Sequence, residues 1–326
     1  MTANDAITPA LHIRSLTKTY DNGTQALNSI NLDVMPGDFF ALLGPNGAGK
    51  STLIGIISSL VNASTGHVHL FGNDLHRDRK KAMQVVGLVP QEINFNLFEQ
   101  PIDILVNYAG FYGIPRSIAL QRANEELERA NLLNKAYVMS RTLSGGMKRR
   151  LMIARAMMTQ PRLMILDEPS AGVDIEIRRS IWHSLKEING EGTTIILTTH
   201  YLEEAENLCR HLAIIDGGQI IEQGPIRALL AKMDSEIFLL DVDGTLPEKI
   251  PTLNGAHLRK IDGQTLELDK PRAMALNAVF AVLEQAQINV HSMRTKSNRL
   301  EELFLLLTHK RTAGAHSQRK SNINPV

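Results

Sequence analysis

A glycine-rich segment between an apolar run and an apolar-striped stretch restricts the fold most strongly. The run Phe39–Leu43 has no polar residue, which is typical of a strand buried on both faces. In residues 50–61 apolar side chains recur every three or four positions, which predicts a helix. A strand, a glycine loop and a helix in this order predict a loop that surrounds a phosphate chain with backbone N–H groups. The loop fits the pattern G-x-x-x-x-G-K-[ST] with Gly44, Pro45, Asn46, Gly47, Ala48, Gly49, Lys50 and Ser51.

The side chains at the end of this loop suit a nucleoside triphosphate with Mg²⁺. Lys50 is expected to reach the β- and γ-phosphates, and the Ser51 hydroxyl to ligate the metal. Thr52 is expected to add a further contact. The alternative is a glycine loop without a ligand, which the flanking strand and helix disfavour.

A second apolar strand ends in two acids. Residues 163–166 are apolar and are followed by Asp167 and Glu168. Asp167 is expected to hold Mg²⁺ through water, and Glu168 to polarise the attacking water. An ordinary strand with an acidic turn is the alternative, and the phosphate loop disfavours it. His200 follows a further predicted strand over 193–199, where position alone favours a structural histidine over a γ-phosphate contact.

Ser144, Gly145 and Gly146 form what resembles a second phosphate-binding corner, because a hydroxyl and two glycines lead into the basic residues 148–150. One nucleotide hardly needs two such corners in one chain. The sequence therefore predicts a head-to-tail homodimer, in which each ATP lies between the first corner of one chain and the second corner of its partner.

Taken in order, these motifs resemble the ABC ATPase family over about residues 11–230. The resemblance implies that Tyr20 stacks on adenine and that Gln91 senses Mg²⁺ and water and marks where a membrane partner docks. It also makes a γ-phosphate contact the favoured role of His200 and places Asp174 against the opposite subunit. The ordered markers are Tyr20, the loop 44–52, Gln91, Ser144-Gly145-Gly146, Asp167-Glu168, residues 170–174 and His200.

At two places the sequence departs from the commoner family pattern, and at both it resembles one branch of the family. Met147 stands where the family most often has glutamine, and residues 171–174 read Ala-Gly-Val-Asp. The branch drives exporters of lipophilic cargo through a separate ABC-2-type permease. The resemblance therefore implies peripheral attachment, through that permease, to the cytoplasmic face of the inner membrane. Near Gln91, the apolar residues Phe95, Leu97 and Phe98 fit either the core or a groove for a permease helix.

Two rival functions remain alternatives. A non-transport ABC ATPase acting on ribosomes or DNA usually has two cassettes in one chain or a long coiled coil, and neither pattern occurs here. A non-enzymatic nucleotide switch is disfavoured by the presence of Glu168 and His200.

The expected fold is an α/β P-loop NTPase with a mainly parallel sheet, an antiparallel β subdomain and a helical subdomain. A small α+β C-terminal domain is expected to follow. The predicted domains are the nucleotide-binding domain over 11–234, the accessory domain over 235–309 and a disordered basic tail over 310–326.

Composition limits the partners and the location. The net charge of +1 argues against a general nucleic-acid binder, and a single cysteine allows no internal disulfide. Because no apolar run approaches the roughly 20 residues that a spanning helix needs, the chain is expected to stay in the cytoplasm.

Overall fold

The computed structural model describes residues 7–232, 235–296, 299–305 and 307. The chain divides into two compact units between Pro225 and Ile226. The predicted domain boundary between residues 234 and 235 lies next to residues 233–234, which are outside the described residues. The predicted tail over 310–326 also lies outside them. The extents of the functional domains therefore stay predictions.

The first unit contains ten strands and seven α-helices among its described residues. In chain order these are β1 (Leu11–Thr19), β2 (Gln25–Val34), β3 (Phe39–Leu43), α1 (Lys50–Ile57), β4 (Thr65–Leu70), β5 (Asn73–Asp74), α2 (Arg79–Gln84), β6 (Val86–Val89), α3 (Pro101–Phe111), α4 (Arg116–Arg129), α5 (Gly145–Met157), β7 (Leu163–Asp167), α6 (Ile175–Gly190), β8 (Thr194–Thr198), α7 (Leu202–Leu208), β9 (His211–Asp216) and β10 (Gln219–Pro225).

A six-stranded sheet in the order β10-β9-β3-β8-β7-β6 forms the centre of this unit. All its pairings are parallel except that of β10 with β9. Every residue of β3 and β8 is buried, as a strand in the middle of a parallel sheet requires. The parallel α/β fold expected from the apolar runs is confirmed.

An antiparallel sheet in the order β2-β1-β4-β5 lies on the other side of α1. One apolar core joins the two sheets through this helix, because Leu11 and Ile13 of β1, Leu53 and Ile57 of α1 and Ile165 of β7 belong to the same buried cluster. Helix α1 is thereby fixed on both sides, and with it the loop that precedes it.

Helices α3, α4 and α5 pack around a core of their own. Leu105, Leu127 and Leu151, one from each helix, are fully buried in that cluster. The residues predicted as mostly helical over 99–135 are two helices, separated by Gly113 in a left-handed conformation and by Pro115. This three-helix region sets the position of the N-terminus of α5.

Helix α1 ends earlier than the apolar pattern predicts. It stops at Ile57, where the Ser58 hydroxyl donates to the Ile54 carbonyl and Ser59 adopts a positive φ of 60°. Leu60, expected in the apolar stripe, is 74% exposed. The prediction of a helix to residue 61 is wrong, because the apolar spacing continues through a turn that reverses the chain.

The second unit has a four-stranded antiparallel sheet in the order β12-β13-β11-β14. Its elements are α8 (Ile226–Ala231), β11 (Ser235–Val242), β12 (His257–Lys260), β13 (Thr265–Pro271), α9 (Leu276–Gln285) and β14 (Val290–Thr295), and residues 299–305 are helical. Leu240, Leu266 and Leu268 of the sheet and Leu283 of α9 form its core. Within the described ranges of both units, no helix is long and apolar enough to span a membrane.

A buried lysine marks the end of this second core. Lys270 is 2% exposed, and its ammonium group donates to Glu236 at 3.0 Å and to the carbonyl of Met274 at 2.9 Å. A buried cation is tolerated only when its donors are satisfied, so Glu236 stabilises this end of the sheet.

We predict that Glu236→Gln lowers the stability of the second unit by about 1–3 kcal/mol, because it removes the charge that faces the buried ammonium group of Lys270. Hydrogen exchange at the amides of β13 should accelerate, while exchange in β7 stays unchanged. Glu248→Gln, at an exposed position of the same unit, is the matched control. Equal exchange in both variants would contradict a stabilising role for the ion pair.

Candidate functional site

The phosphate loop joins the carboxyl end of β3 to α1. Gly49 lies at the N-terminus of α1 with a φ of 108°, and a Cβ there would come within 2.6 Å of the Ala26 carbonyl oxygen. Only glycine combines this conformation with so close an approach. The loop is therefore held against β2, with the first turn of α1 open at its end.

Lys50 is folded back onto the loop. Its ammonium group donates to the carbonyls of Gly44 at 2.7 Å and Pro45 at 3.0 Å, and the residue is 8% exposed. Burial lowers the pKa of Lys50, while the nearby carboxylates of Glu168 and Asp167 raise it. An ammonium group with three N–H donors retains one for a further acceptor.

The acids lie at the carboxyl ends of neighbouring parallel strands. The Thr198 hydroxyl at the end of β8 donates to Asp167 at 2.5 Å and accepts from the backbone N–H of Glu168 at 3.2 Å. Glu168 has a φ of 49°, a left-handed conformation that costs a non-glycine residue about 1–2 kcal/mol. Such strain collects at functional sites, where surrounding contacts hold it.

Two side chains hold the carboxylate of Glu168. The Gln91 amide nitrogen donates to Oε2 at 3.1 Å, and Nδ1 of His200 lies 3.1 Å from the same oxygen. The Glu168 side chain is only 15% exposed, whereas that of His200 is 49% exposed. The acid is thus held by one side chain from the segment that follows β6 and by another from the segment that follows β8.

A cavity of about 700 Å³ brings most of the predicted residues together. Its lining includes Asn46, Gly47, Gly49, Lys50, Ser51, Thr52, Gln91, Asp167, Glu168 and His200. The phosphate loop directly follows β3, Asp167 ends β7, and Gln91 and His200 are the second residues after β6 and β8. The cavity therefore opens at the carboxyl edge of the parallel sheet. This edge is the usual ligand site of open α/β folds.

Part of the cavity wall was not predicted from the sequence. Gly217 and Gly218, in the turn between β9 and β10, line the cavity together with Thr24, Gln25 and Ala26. The Gly218 N–H donates to the carbonyl of Ala48 at 3.0 Å, which holds this turn against the phosphate loop. The two adjacent glycines after an apolar strand indicate a turn, but nothing local in the sequence connects that turn to the loop.

Several predicted residues lie beside the cavity instead of in its wall. Among the described residues, the lining does not include Tyr20, Gly44, Pro45 or Ala48. The Tyr20 hydroxyl lies 3.2 Å from that of Thr52, and the Lys18 ammonium group lies 4.9 Å from the centre of the Tyr20 ring. Tyr20 is therefore placed at the edge of the site, with a cation over its ring.

The second corner does not line this cavity within the described part of the chain. Ser144 caps the N-terminus of α5 and accepts from the Met147 N–H at 3.3 Å, and it is exposed. Gly146 packs against Ile177, where a Cβ would come within 2.5 Å of that side chain. Ser144 and Gly145 thus lie exposed at a helix N-terminus, with Gly146 buried beneath them, and a single chain does not bring this N-terminus to its own phosphate loop.

A buried arginine of α5 links this corner to Gln91. Arg149 is 7% exposed and donates to the backbone carbonyls of Pro90 at 3.0 Å and Gln91 at 2.8 Å. It fixes the segment that carries the amide facing Glu168. The sequence gives no sign of this role, because Arg149 reads as one of three consecutive basic residues.

The oxygen donors of the cavity fit Mg²⁺. Ser51 offers a hydroxyl, Asp167 a carboxylate and Gln91 an amide, and hard oxygen ligands of this kind suit a metal that is shared with phosphates. The Thr198 hydroxyl fixes the orientation of Asp167.

The fold and this geometry define a P-loop nucleoside-triphosphatase. A glycine loop at the end of a parallel strand, a buried lysine and a strand ending in adjacent acids occur together in that class.

Comparisons with known proteins specify the family. Residues 27–171 match the family model described as ABC transporter. The Nod factor export ATP-binding protein I of Cupriavidus pinatubonensis is 36% identical over 308 residues, which cover 93% of this chain and 92% of that protein. The linearmycin resistance ATP-binding protein LnrL of Bacillus subtilis is 36% identical over 305 residues, covering 91% and 98%.

Solved structures agree with this assignment. An ATP-binding subunit of an ABC transporter superposes with a TM-score of 0.63 at 26% identity, covering 68% of this chain and 92% of that chain. A dimeric ATP-binding cassette in a post-hydrolysis state with ADP and Pi gives a TM-score of 0.61 at 26% identity, covering 67% and 99%. The chain belongs to the ABC transporter family and is an ATP-binding subunit with ATPase activity.

Proposed function

We propose that two copies of this chain hydrolyse two MgATP molecules held between them, and that they thereby drive a separate ABC-2-type permease that exports its cargo. The observation that carries the hydrolytic part is the carboxylate of Glu168, fixed by Gln91 and His200 beside Lys50. The names of the relatives, which refer to export and to resistance, support the direction of transport.

Each residue of the cavity has a distinct role in this proposal. Lys50 uses its remaining N–H on the β- and γ-phosphates, and the loop N–H groups and the α1 terminus bind the phosphate chain. Glu168 accepts the proton of the attacking water, since it is the acid held between two polar side chains. His200 contacts the γ-phosphate through its other ring nitrogen.

Mg²⁺ would be held by Ser51, Asp167 and Gln91, and it would supply charge neutralisation between the phosphates. Tyr20 stacks on adenine from the edge of the cavity. Its hydroxyl next to Thr52 keeps the ring close to the phosphate loop.

The position of Ser144 supports the ATP-bound homodimer. An exposed helix N-terminus with two glycines suits phosphate oxygens, yet it is absent from the described wall of the chain's own cavity. A partner chain in head-to-tail orientation completes the site. Asp174, exposed at the start of α6, contacts the partner in this arrangement.

An apolar surface beside the Gln91 segment supports docking of the permease. Phe98 is 70% and Phe111 87% exposed, next to a groove of about 640 Å³ lined by Phe95 and Tyr108 among others. Exposed aromatic side chains around a groove are typical of a site for a partner helix. Phe95 itself packs partly into the core of the three helices, whereas Leu97 and Phe98 lie at the surface. The chain is attached to the cytoplasmic face of the inner membrane through this partner.

We predict that Glu168→Gln lowers ATP turnover by about 10²–10⁴-fold and leaves ATP binding intact, because the amide cannot accept the proton of water. Steady-state phosphate release and equilibrium binding of ATP measure the two quantities. Glu128→Gln, at an exposed position of α4, should keep full turnover. Wild-type turnover in Glu168→Gln would remove Glu168 from the role.

Mixing two inactive variants tests the homodimer. Lys50→Ala disables one half of each site and Ser144→Arg the other half, so either variant alone should be inactive. In a head-to-tail pair, a mixed dimer has one doubly defective site and one intact site. Random mixing should therefore restore about a quarter of the wild-type sites. No recovery of ATPase activity on mixing, with both variants folded, would contradict the shared site.

We predict that a membrane protein binds this docking surface and that its binding requires Phe111. The wild-type chain should co-purify with a membrane protein of about six spans, each of roughly 20 apolar residues. Phe111→Asp should lose it and keep the ATPase activity of the detergent-free subunit. Leu60→Asp, at another highly exposed apolar position, should retain the partner. Co-purification with ribosomes or DNA instead would favour a non-transport ATPase.

A further inference from the structure

A buried acid that the hydrolytic site does not use lies directly behind it. Glu204, in the first turn of α7, has no exposed surface. Burying a carboxylate is costly unless donors surround it, so the partners of this residue show what it holds in place. Its indole partner is Trp182 of α6, whose Nε1–H donates to Oε1 at 2.9 Å.

The other groups around this carboxylate come from two loops of the site. Burial raises the pKa of Glu204, and the nearby polar groups of Thr199, Trp182 and Ser170 lower it. Thr199 directly precedes His200, and Ser170 opens the segment that ends at Asp174. One buried acid thus faces both the loop that presents the proposed γ-phosphate contact and the segment proposed to meet the partner subunit.

The Thr199 hydroxyl already has one hydrogen bond within the loop. Its oxygen accepts from the backbone N–H of Tyr201 at 2.9 Å, and its own proton is then free to point at Glu204. These contacts bracket His200, since they fix the residues on either side of it.

A second set of contacts starts from the ring of His200 itself, which lies against the neighbouring ring of Tyr201 at a tilted angle. The rings of His200 and Tyr201 have centroids 4.0 Å apart, and the Arg178 guanidinium lies 4.3 Å from the centre of the Tyr201 ring. Arg178 lies in the first turn of the helix that Asp174 caps. The Asp174 carboxylate accepts from the Ile177 N–H, and the Asp174 carbonyl accepts from the Arg178 N–H. A second route therefore connects His200 with the same segment.

The contact with Ser170 is incomplete. Within the described residues, the buried Ser170 hydroxyl and Oε2 of Glu204 make no hydrogen bond of good geometry, although they are close enough to affect each other. A buried hydroxyl and a buried carboxylate oxygen without aligned partners are costly, so a rearrangement of the segment that begins at Ser170 that paired them would be stabilising.

We propose that Glu204 is a positioning residue that couples the Ser170–Asp174 segment to His200, so that arrival of the partner subunit aligns the hydrolytic site. This inference rests on the proposed function, because it assigns Glu204 an effect only through His200 and the partner contact. Glu204 itself touches neither nucleotide nor water in this role.

Glu204→Gln keeps the shape of the side chain and an acceptor for Trp182, but it presents an amide to the two hydroxyls. We predict that turnover falls about tenfold, whereas the dissociation constant for ATP changes by less than about twofold, because the cavity wall that binds ATP is untouched. Glu203→Gln, one position away on the exposed side of α7, should match the wild type.

A double-mutant cycle with His200→Ala separates positioning from general structural damage. Once His200 is absent, Glu204→Gln should change turnover by less than about twofold. Thr199→Val, which removes the linking hydroxyl, should behave like Glu204→Gln and add little to it. If Glu204→Gln fails to fold, the comparison of Thr199→Val with Thr199→Val/His200→Ala gives the same test.

Two results overturn the coupling: wild-type turnover in folded Glu204→Gln, or a full tenfold loss on top of His200→Ala. The second leaves the proposed function standing if His200→Ala alone is impaired. Wild-type turnover in His200→Ala instead removes His200 from the proposed mechanism, and the coupling fails with it.

Discussion

The close contact between the phosphate loop and its surroundings is the constraint on which the site depends. Gly49 reaches the carbonyl of Ala26, and the turn at Gly218 bonds to the carbonyl of Ala48. Since α1 is buried between two sheets, neither end of the loop can shift without disturbing the core. A loop that is rigid before its ligand arrives loses little conformational entropy on binding.

Thr198 has a comparable effect on the acidic side of the site. One hydroxyl at the end of β8 contacts both Asp167 and the backbone of Glu168, and this arrangement maintains a left-handed residue at the end of β7. The acid proposed to hold the metal, Asp167, and the acid proposed to activate water, Glu168, are therefore separated by backbone geometry, and each carboxylate has its own partners. Two adjacent acids can then perform two roles without sharing a proton.

Local patterns in the sequence predict the parts of the structure that local physics determines. The run Phe39–Leu43 specifies a central strand and the following glycines specify a phosphate loop, because strand burial and backbone conformation are properties of short segments. The end of α1 was mispredicted, since apolar spacing does not register the turn at Ser59. Arg149 and Glu204 could not be foreseen, because their roles depend on partners 58 and 22 residues away along the chain. The separation of Ser144 from its own phosphate loop was predicted by a different argument. One nucleotide does not need two phosphate-binding corners from the same chain.

Trp182 is the only tryptophan of the sequence, and its indole lies against the buried acid behind the hydrolytic loops. Indole emission depends on the charge and hydrogen bonding of the ring's neighbours. The protein thus carries a built-in optical reporter at the junction of these loops. A rearrangement of these loops would change that emission and could be followed in the unlabelled chain.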